Sequence, residues 1–498
     1  MFKNPLLLIA MSLTIAVSLW GILDAPGLTE FATALVRTVL QSRGWFVMLT
    51  ASLLLIVSLV LAFSRFGRIK LGRDDDLPEF STVSWLTMMF AAGMGVGLLF
   101  FGAAEPITHY LFGIDVGIPS QQAATNAMLI TLFNWGLHAW AIYGITALVI
   151  AYFGFRKQAP QLISAPIRTI FGNHPVARSA GWLVDLLSIY AIAIGLAGSL
   201  ALGVFQVQDG LATLFHLNST GMGLTLTIFG ILCLCYILPL TVDLSKGMAL
   251  LSNAAVLITV VLMVYVLLLG PTSFLMDGIT EAIGGYFFNA IPHGFMTYTF
   301  YGEEVKQWYQ DWSLNYMVWW LAWAPFVGVF IARISRGRTI REFLLGVLFV
   351  PTFFSIFWFG VFGGMGFYQG AAEQLDPLIV KENINQTTFL LLENIPLSAL
   401  TIIATTLAAF LFIVTSVVSA AYVLAMFSTA GSQDPPVKIK LIWGAILGAL
   451  GLAMIFSGSV TAIRQIIAMS AGPFVFIVLL LVVCLLKSLH NEASEGRG

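Results

Sequence analysis

The stretch DWSLNYMVWWLAWAPFVGVFIARISRGRTIREF, Asp311–Phe343, runs from an apolar segment into four arginines, Arg333, Arg336, Arg338 and Arg341. About 20 apolar residues suffice for a helix to cross a bilayer, and Lys and Arg gather at the cytoplasmic ends of such helices. This block therefore sets one membrane span, near 306–332, together with its direction. Comparable runs recur on both sides of it, near 5–24, 44–64, 84–112, 122–153, 180–207, 221–240, 247–270, 342–368, 396–428, 440–457 and 461–487. Inside hydrocarbon a backbone must satisfy its own hydrogen bonds, and apolar runs without strict alternation do so as helices. The pattern predicts an all-α membrane protein with twelve transmembrane helices. With the N-terminus placed in the cytoplasm, only Arg37, Arg43, Lys306, Lys381 and Arg464 of the 23 lysines and arginines fall on the outer side. A span missed or added would scramble that asymmetry, so both termini are expected in the cytoplasm.

Composition agrees and removes several function classes. Of 498 residues, 59% are hydrophobic and 9% charged, and the net charge is −1. Mean hydropathy is +0.94, whereas soluble domains carry roughly 25% charged residues. A near-neutral chain offers no basic surface, so no nucleic acid partner is expected. Cys233, Cys235 and Cys484 lie in apolar runs, in a spacing and setting that fit packing rather than zinc. No cluster of His, Asp and Glu is expected within the spans, where His138 stands alone, and this argues against a membrane enzyme. Pro5–Asp24 lacks a basic start and a cleavage pattern and is read as a retained first helix. Both tails are short, so no soluble regulatory domain is expected. The connections 274–304 and 370–395 are acidic and contain amphipathic stretches, Met276–Phe288 and Thr387–Glu393, expected to lie on the membrane as interfacial helices.

Two further patterns point to a site. In the third span Gly93, Gly95 and Gly97 alternate, each costing a helix about 1 kcal/mol. They serve either close helix packing or a break in the helix where backbone lines a cavity. Aromatic residues also gather at mid-depth, although Trp and Tyr normally favour the membrane interface. Trp135, Trp140 and Tyr143 fall within an arc of about 140° if the fourth span is one continuous helix. Trp319, Trp320 and Trp323 fall within about 100° on the eighth. Two clusters on two helices fit a cage for a methylated onium group, which has no N–H to donate but is attracted by ring faces at about 0.5–2 kcal/mol each. Acidic residues are scarce at that depth, so ion pairing is not expected to hold the cation. Thr415 and Ser416 either bond back to their own helix or offer oxygens to a hard cation.

Together, AAGMGVGLLFFGAAEP (Ala91–Pro106), NWGLHAWAIY (Asn134–Tyr143), Asp311–Phe343 and FIVTS (Phe412–Ser416) resemble the betaine/carnitine/choline transporter family, and the resemblance covers nearly the whole chain. It implies a LeuT-like inverted five-plus-five repeat, commonly as a homotrimer. Residues 1–80 would be two peripheral helices and 81–272 the first repeat; 273–304 would be an extracytoplasmic interfacial segment and 305–490 the second repeat. By position Trp135, Trp140, Tyr143 and Trp320 match the family's aromatic box, and Trp319 and Trp323 match its substrate path. Backbone N–H groups of the unwound stretch, around Met94 and Gly95, would take a substrate carboxylate. The principal Na+ site would comprise carbonyls of Ala91, Met94 and Phe412 with the hydroxyls of Thr415 and Ser416. A second Na+ site is not expected, because Ile192 and Leu196 stand where hydroxyls would be needed. Ser313 and Met317 depart from the usual Thr and Trp, and the long basic C-terminal extension of osmosensing members is missing.

The resemblance and the residues together predict a sodium-coupled symporter in a bacterial-type inner membrane, importing a small quaternary-ammonium or sulfonium solute by alternating access. Glycine betaine, dimethylsulfoniopropionate, carnitine, choline and trimethylamine oxide all present the required head. The alternatives are a sodium-independent onium exchanger, a passive pore and an amino-acid transporter of the same fold.

Overall fold

Helix starts are written into the sequence. The Asn4 side chain accepts from the Leu6 N–H at 3.1 Å and Pro5 fills the first turn, opening α1 (Pro5–Leu23). Asp24 accepts from the Gly27 N–H at 3.0 Å and opens α2 (Ala25–Leu35). A π turn and a 3-10 turn lead from it into α3 (Gly44–Phe63). Then follow α4 (Thr82–Gly93), α5 (Val96–Asp115), α6 (Ser120–Trp135), α7 (Leu137–Ala151), α8 (Ala165–Phe171) and α9 (Pro175–Leu214). The chain continues with α10 (Met222–Thr241), α11 (Ser245–Leu269), α12 (Thr272–His293), α13 (Glu303–Tyr309), α14 (Asn315–Arg333) and α15 (Ile340–Ala371). It ends with α16 (Thr387–Glu393), α17 (Ser398–Ser428), α18 (Val437–Phe456), α19 (Val460–Ala471) and α20 (Phe474–Glu495). This computed structural model describes residues 4–172, 174–217, 221–241, 245–371 and 384–495. Lys381 and the rest of 372–383, within the acidic connection 370–395, lie outside the described residues.

Among the described residues, eleven helices are long and apolar enough to cross a membrane. They correspond to every expected span except 84–112, which is two helices, α4 and α5, separated at Met94 and Gly95. Three further expectations need correction. The fourth span is not continuous: Gly136 (φ −102°, ψ −140°) separates α6 from α7. The fifth extends past 207, as α9 holds 40 residues. The twelfth divides at Gly472 and Pro473 into α19 and α20. The stretch Met276–Phe288, expected as an interfacial helix, is part of the longer α12, which buries Leu275, Ile279, Ala282, Tyr286 and Ala290 on one face. That face lies against α6 and α15.

The middle of the bundle is α7, buried at all 15 of its positions. A helix apolar on every side is stable only when surrounded, and α7 lies along α14 while α9 lies along α17. By contrast α10 and α11 remain largely exposed and take the bundle's edge. At the basic end, short antiparallel pairing joins residues 69–71 to 337–340: the Leu71 N–H donates to Arg338 O (2.8 Å) and Ile340 N–H to Ile69 O (2.9 Å). Arg156 bridges Asp74 (2.8 Å) and Glu492 (2.5 Å), and Arg336 meets Asp76 (3.2 Å). Asp76 is held below the usual carboxylate range, chiefly by the Arg73 backbone N–H and then by Arg336.

Candidate functional site

The break at Gly136 builds the site. A helix that stops leaves carbonyls without partners and its successor leaves N–H groups without partners. Here Trp320 donates its indole N–H to Asn134 O (2.7 Å), and the Ser355 hydroxyl reaches Trp135 O (3.3 Å). On the other side of the break, the Leu137 N–H donates to the Tyr286 hydroxyl (2.7 Å). Gly is required at 136, since a Cβ there would stand 2.1 Å from that hydroxyl oxygen and 2.5 Å from Leu132 O.

These caps draw rings from two helices together. Trp135 lies 5.2 Å from Trp320, edge on at 79°, and 5.6 Å from Tyr316. Tyr143 meets Trp320 at 5.4 Å and 90°, and Trp140 meets Tyr143 at 5.6 Å. A cavity of about 30 Å³ is lined by Gly95, Gly97, Trp135, Ser199, Tyr316, Trp319, Trp320 and Trp323. Trp140 and Tyr143 are fully buried but do not line it; Tyr143 backs the Trp320 ring and Trp140 backs Tyr143. The continuous-helix arc for Trp135, Trp140 and Tyr143 therefore fails at Gly136, whereas Trp319, Trp320 and Trp323 share one wall as their spacing predicts. Glycines make room for the rings: a Cβ on Gly195 would come within 3.1 Å of Trp323, and one on Gly97 within 3.3 Å of Trp135. The Trp323 indole N–H and the Tyr143 hydroxyl are buried without partners among the described residues, leaving donors beside the chamber.

One of the scarce acidic residues of the spans stands beside the chamber. Glu105 is fully buried, and its carboxylate accepts from Asn134 Nδ2 (2.8 Å), Trp135 Nε1 (2.8 Å) and the Tyr316 hydroxyl (2.5 Å). His109, one turn along α5, stands 3.3 Å away. Glu105 and His109 form a buried pair within this span, so His138 is not the lone histidine of the spans that the sequence reading took it to be. Charge-assisted donors allow a carboxylate to remain in a dry interior, and this one orients two rings of the chamber. A lone Glu in an apolar span was the available signal. His138 bonds Ser52 (3.4 Å) and packs on Phe133, as a structural histidine would.

Beside the chamber, a cavity of about 10 Å³ is lined by Val96, Leu196, Ser199, Trp323, Ile413 and Ser416, among others. The hydroxyls of Ser199 and Ser416 have no partner among the described residues. Thr415 instead donates to Leu411 O (2.9 Å) on its own helix, with Phe412 O at 3.1 Å. Ala91 lies in the last turn of α4, whose carbonyls the helix cannot pair further on, and Met94 follows in the break. Oxygens of this kind suit a small hard cation. Ile192 and Leu196 are fully buried hydrocarbon. Ser199, one of several hydroxyl residues in a 40-residue helix, carried no signal that sequence reasoning used. A larger cleft of about 460 Å³ opens between α6, α12 and α15, away from the rings.

Apolar crossing helices around a closed aromatic chamber, with two broken helices at its wall, define a multi-pass membrane transporter. Comparison with known proteins agrees. The profile of the betaine/carnitine/choline family transporters matches residues 5–494. The glycine betaine transporter OpuD of Bacillus subtilis is 38% identical over 98% of this chain and 94% of its own length. A glycine betaine transporter of Acinetobacter baylyi is 34% identical over 99% of this chain and 74% of its own. The ectoine/hydroxyectoine transporter of Virgibacillus pantothenticus is 33% identical over 91% and 90%. The chain belongs to the betaine/carnitine/choline transporter family and is a transporter, not an enzyme.

Proposed function

We propose that the chain is a sodium-coupled symporter that imports a methylated onium zwitterion of the glycine betaine type by alternating access. The observation carrying this reading is the set of rings, Trp135, Tyr316, Trp319, Trp320 and Trp323, that share one buried chamber. Ring faces attract a cation whose charge is spread over methyl groups and leave its apolar surface well packed. Three or four faces at about 0.5–2 kcal/mol each, with burial added, reach micromolar affinity, about −8 kcal/mol. The unpartnered Trp323 N–H and the open backbone at Met94 and Gly95 stand ready for the carboxylate. Names of the relatives that carry glycine betaine support the same cargo.

Sodium would use the neighbouring cavity, which the Ser416 and Ser199 hydroxyls line; the carbonyls of Ala91, Met94 and Phe412 and the Thr415 hydroxyl, which do not line it, would have to close on the ion as further ligands. An ion there braces the broken helix against α17 and ties cargo binding to sodium. We further propose twelve crossings, with α4 and α5 jointly forming the third, and two inverted repeats that rock about the chamber. Cytoplasmic termini follow from the basic end, and a homotrimer in a bacterial plasma membrane from the family. Reconstituted vesicles test the reading: saturable glycine betaine uptake that collapses without a sodium gradient is expected. Exchange on preloaded vesicles that proceeds equally well without sodium would favour the exchanger instead.

A further inference from the structure

Along α13, the π turn after it and α14, an aromatic row descends to the chamber at four-residue intervals: Trp308, Trp312, Tyr316 and Trp320. Successive centroids are 6.4, 6.3 and 6.3 Å apart, with neighbouring planes within 32° of parallel. The row starts at the end of the bundle opposite the basic loops. Its middle is already occupied. The guanidinium of Arg464, from α19, lies 4.1 Å from the Trp312 centroid, 5.5 Å from Tyr316 and 5.1 Å from Phe101.

This cation is unusual in its surroundings. Arg464 is 8% exposed, its Nη2 has no partner, and no carboxylate lies within 4.0 Å of it among the described residues. A buried arginine is ordinarily paired with an acid. Glu105, which shares Tyr316 as a neighbour with Arg464, has its oxygens taken by Asn134, Trp135, Tyr316 and His109. Ring faces, not a counter-ion, hold this guanidinium, so it keeps an unspent donor and an unneutralised charge.

We propose that Arg464 is a specificity-determining residue on the approach to the chamber, admitting zwitterions and opposing cargo of net positive charge. The inference rests on the onium reading above and on the end of the bundle that holds Trp312, just before α14, facing outward. An onium head moving along the row must displace the guanidinium from the same faces. A zwitterion offsets that loss by offering its carboxylate to the free donors, as charge-assisted bonds to Arg are strong. A cation such as choline has no anion to offer and meets like charge in a dry site.

The test is equilibrium binding of glycine betaine and of choline, in sodium, to the purified full chain. The unaltered protein should bind glycine betaine at least about tenfold more tightly than choline, about 1.4 kcal/mol. Arg464→Gln should narrow that ratio by about tenfold, and Arg464→Lys, which keeps the charge, should preserve most of it. Retention of the full ratio in folded Arg464→Gln protein overturns the proposal, as does its loss in Arg464→Lys. A ratio near one in the unaltered protein overturns it without any variant. Failure of the unaltered protein to bind either compound instead overturns the onium reading on which it rests.

Discussion

Trp320 donates its indole N–H to the carbonyl of Asn134 across 2.7 Å, so a ring that walls the chamber also caps the broken end of α6. The two roles separate by substitution. Trp320→Phe keeps a ring face and loses the cap; it should lower thermal stability by about 1–2 kcal/mol while retaining part of the cargo affinity. Trp320→Ala should lose both, with affinity falling by tenfold or more, on the order of 1–2 kcal/mol for a lost cation–π face. Glycine betaine titration and thermal melting of the two purified variants check this.

Gly136→Ala places a methyl group against the Tyr286 hydroxyl and Leu132 O. Neither neighbour is a free-ended flexible chain, so about 1–3 kcal/mol of destabilisation is expected. Tyr286→Phe in the same background should recover part of the melting temperature by removing the oxygen that the methyl meets.

Glu105→Gln removes a charge that collects donors from α5, α6 and α14. The new amide must turn its own donor toward one of them. Uptake should fall at least tenfold, the equivalent of about 1.4 kcal/mol, with smaller loss of folded protein. Uptake and chromatographic yield measured together separate the two effects.

Ser416→Ala and Ser199→Ala each delete a hydroxyl without a partner, so stability should change by less than about 0.5 kcal/mol. The sodium concentration for half-maximal cargo binding should rise several-fold in Ser416→Ala. One sodium with a zwitterion carries one charge, worth about 2.3 kcal/mol at 100 mV. Uptake should therefore generate current in planar or vesicle recordings.

His293, at the end of α12 beside Phe133 and Tyr298, is lowered by burial to about 4. A histidine kept neutral when folded takes up its proton more readily when unfolded. Its contribution to stability is full above about pH 6.5 and is lost as pH falls toward 4. Melting temperature should drop over that interval, and less so in His293→Gln.

Several of these features were legible before any coordinates and others were not. Trp319, Trp320 and Trp323 share one short helical stretch, where spacing alone fixes direction, and the alternating glycines lie at the break they suggested. Gly136 was different. A single glycine within a continuous apolar run looks harmless, and what stabilises the break is Tyr286, Trp320 and Ser355, residues 150 or more positions away in sequence. Glu105 lay in plain view within Ala91–Pro106, but counting apolar residues hides one acid whose partners, His109 apart, sit on other helices. Ser199 became informative only when α9 placed it opposite Ser416.

A chamber of about 30 Å³ has room for little more than a couple of water molecules. A trimethylammonium head is several times bulkier, so docking must wedge the indoles apart before they can grip it. Cargo association should be slower than diffusion allows, should quicken steeply on warming, and should disturb tryptophan emission as the walls part.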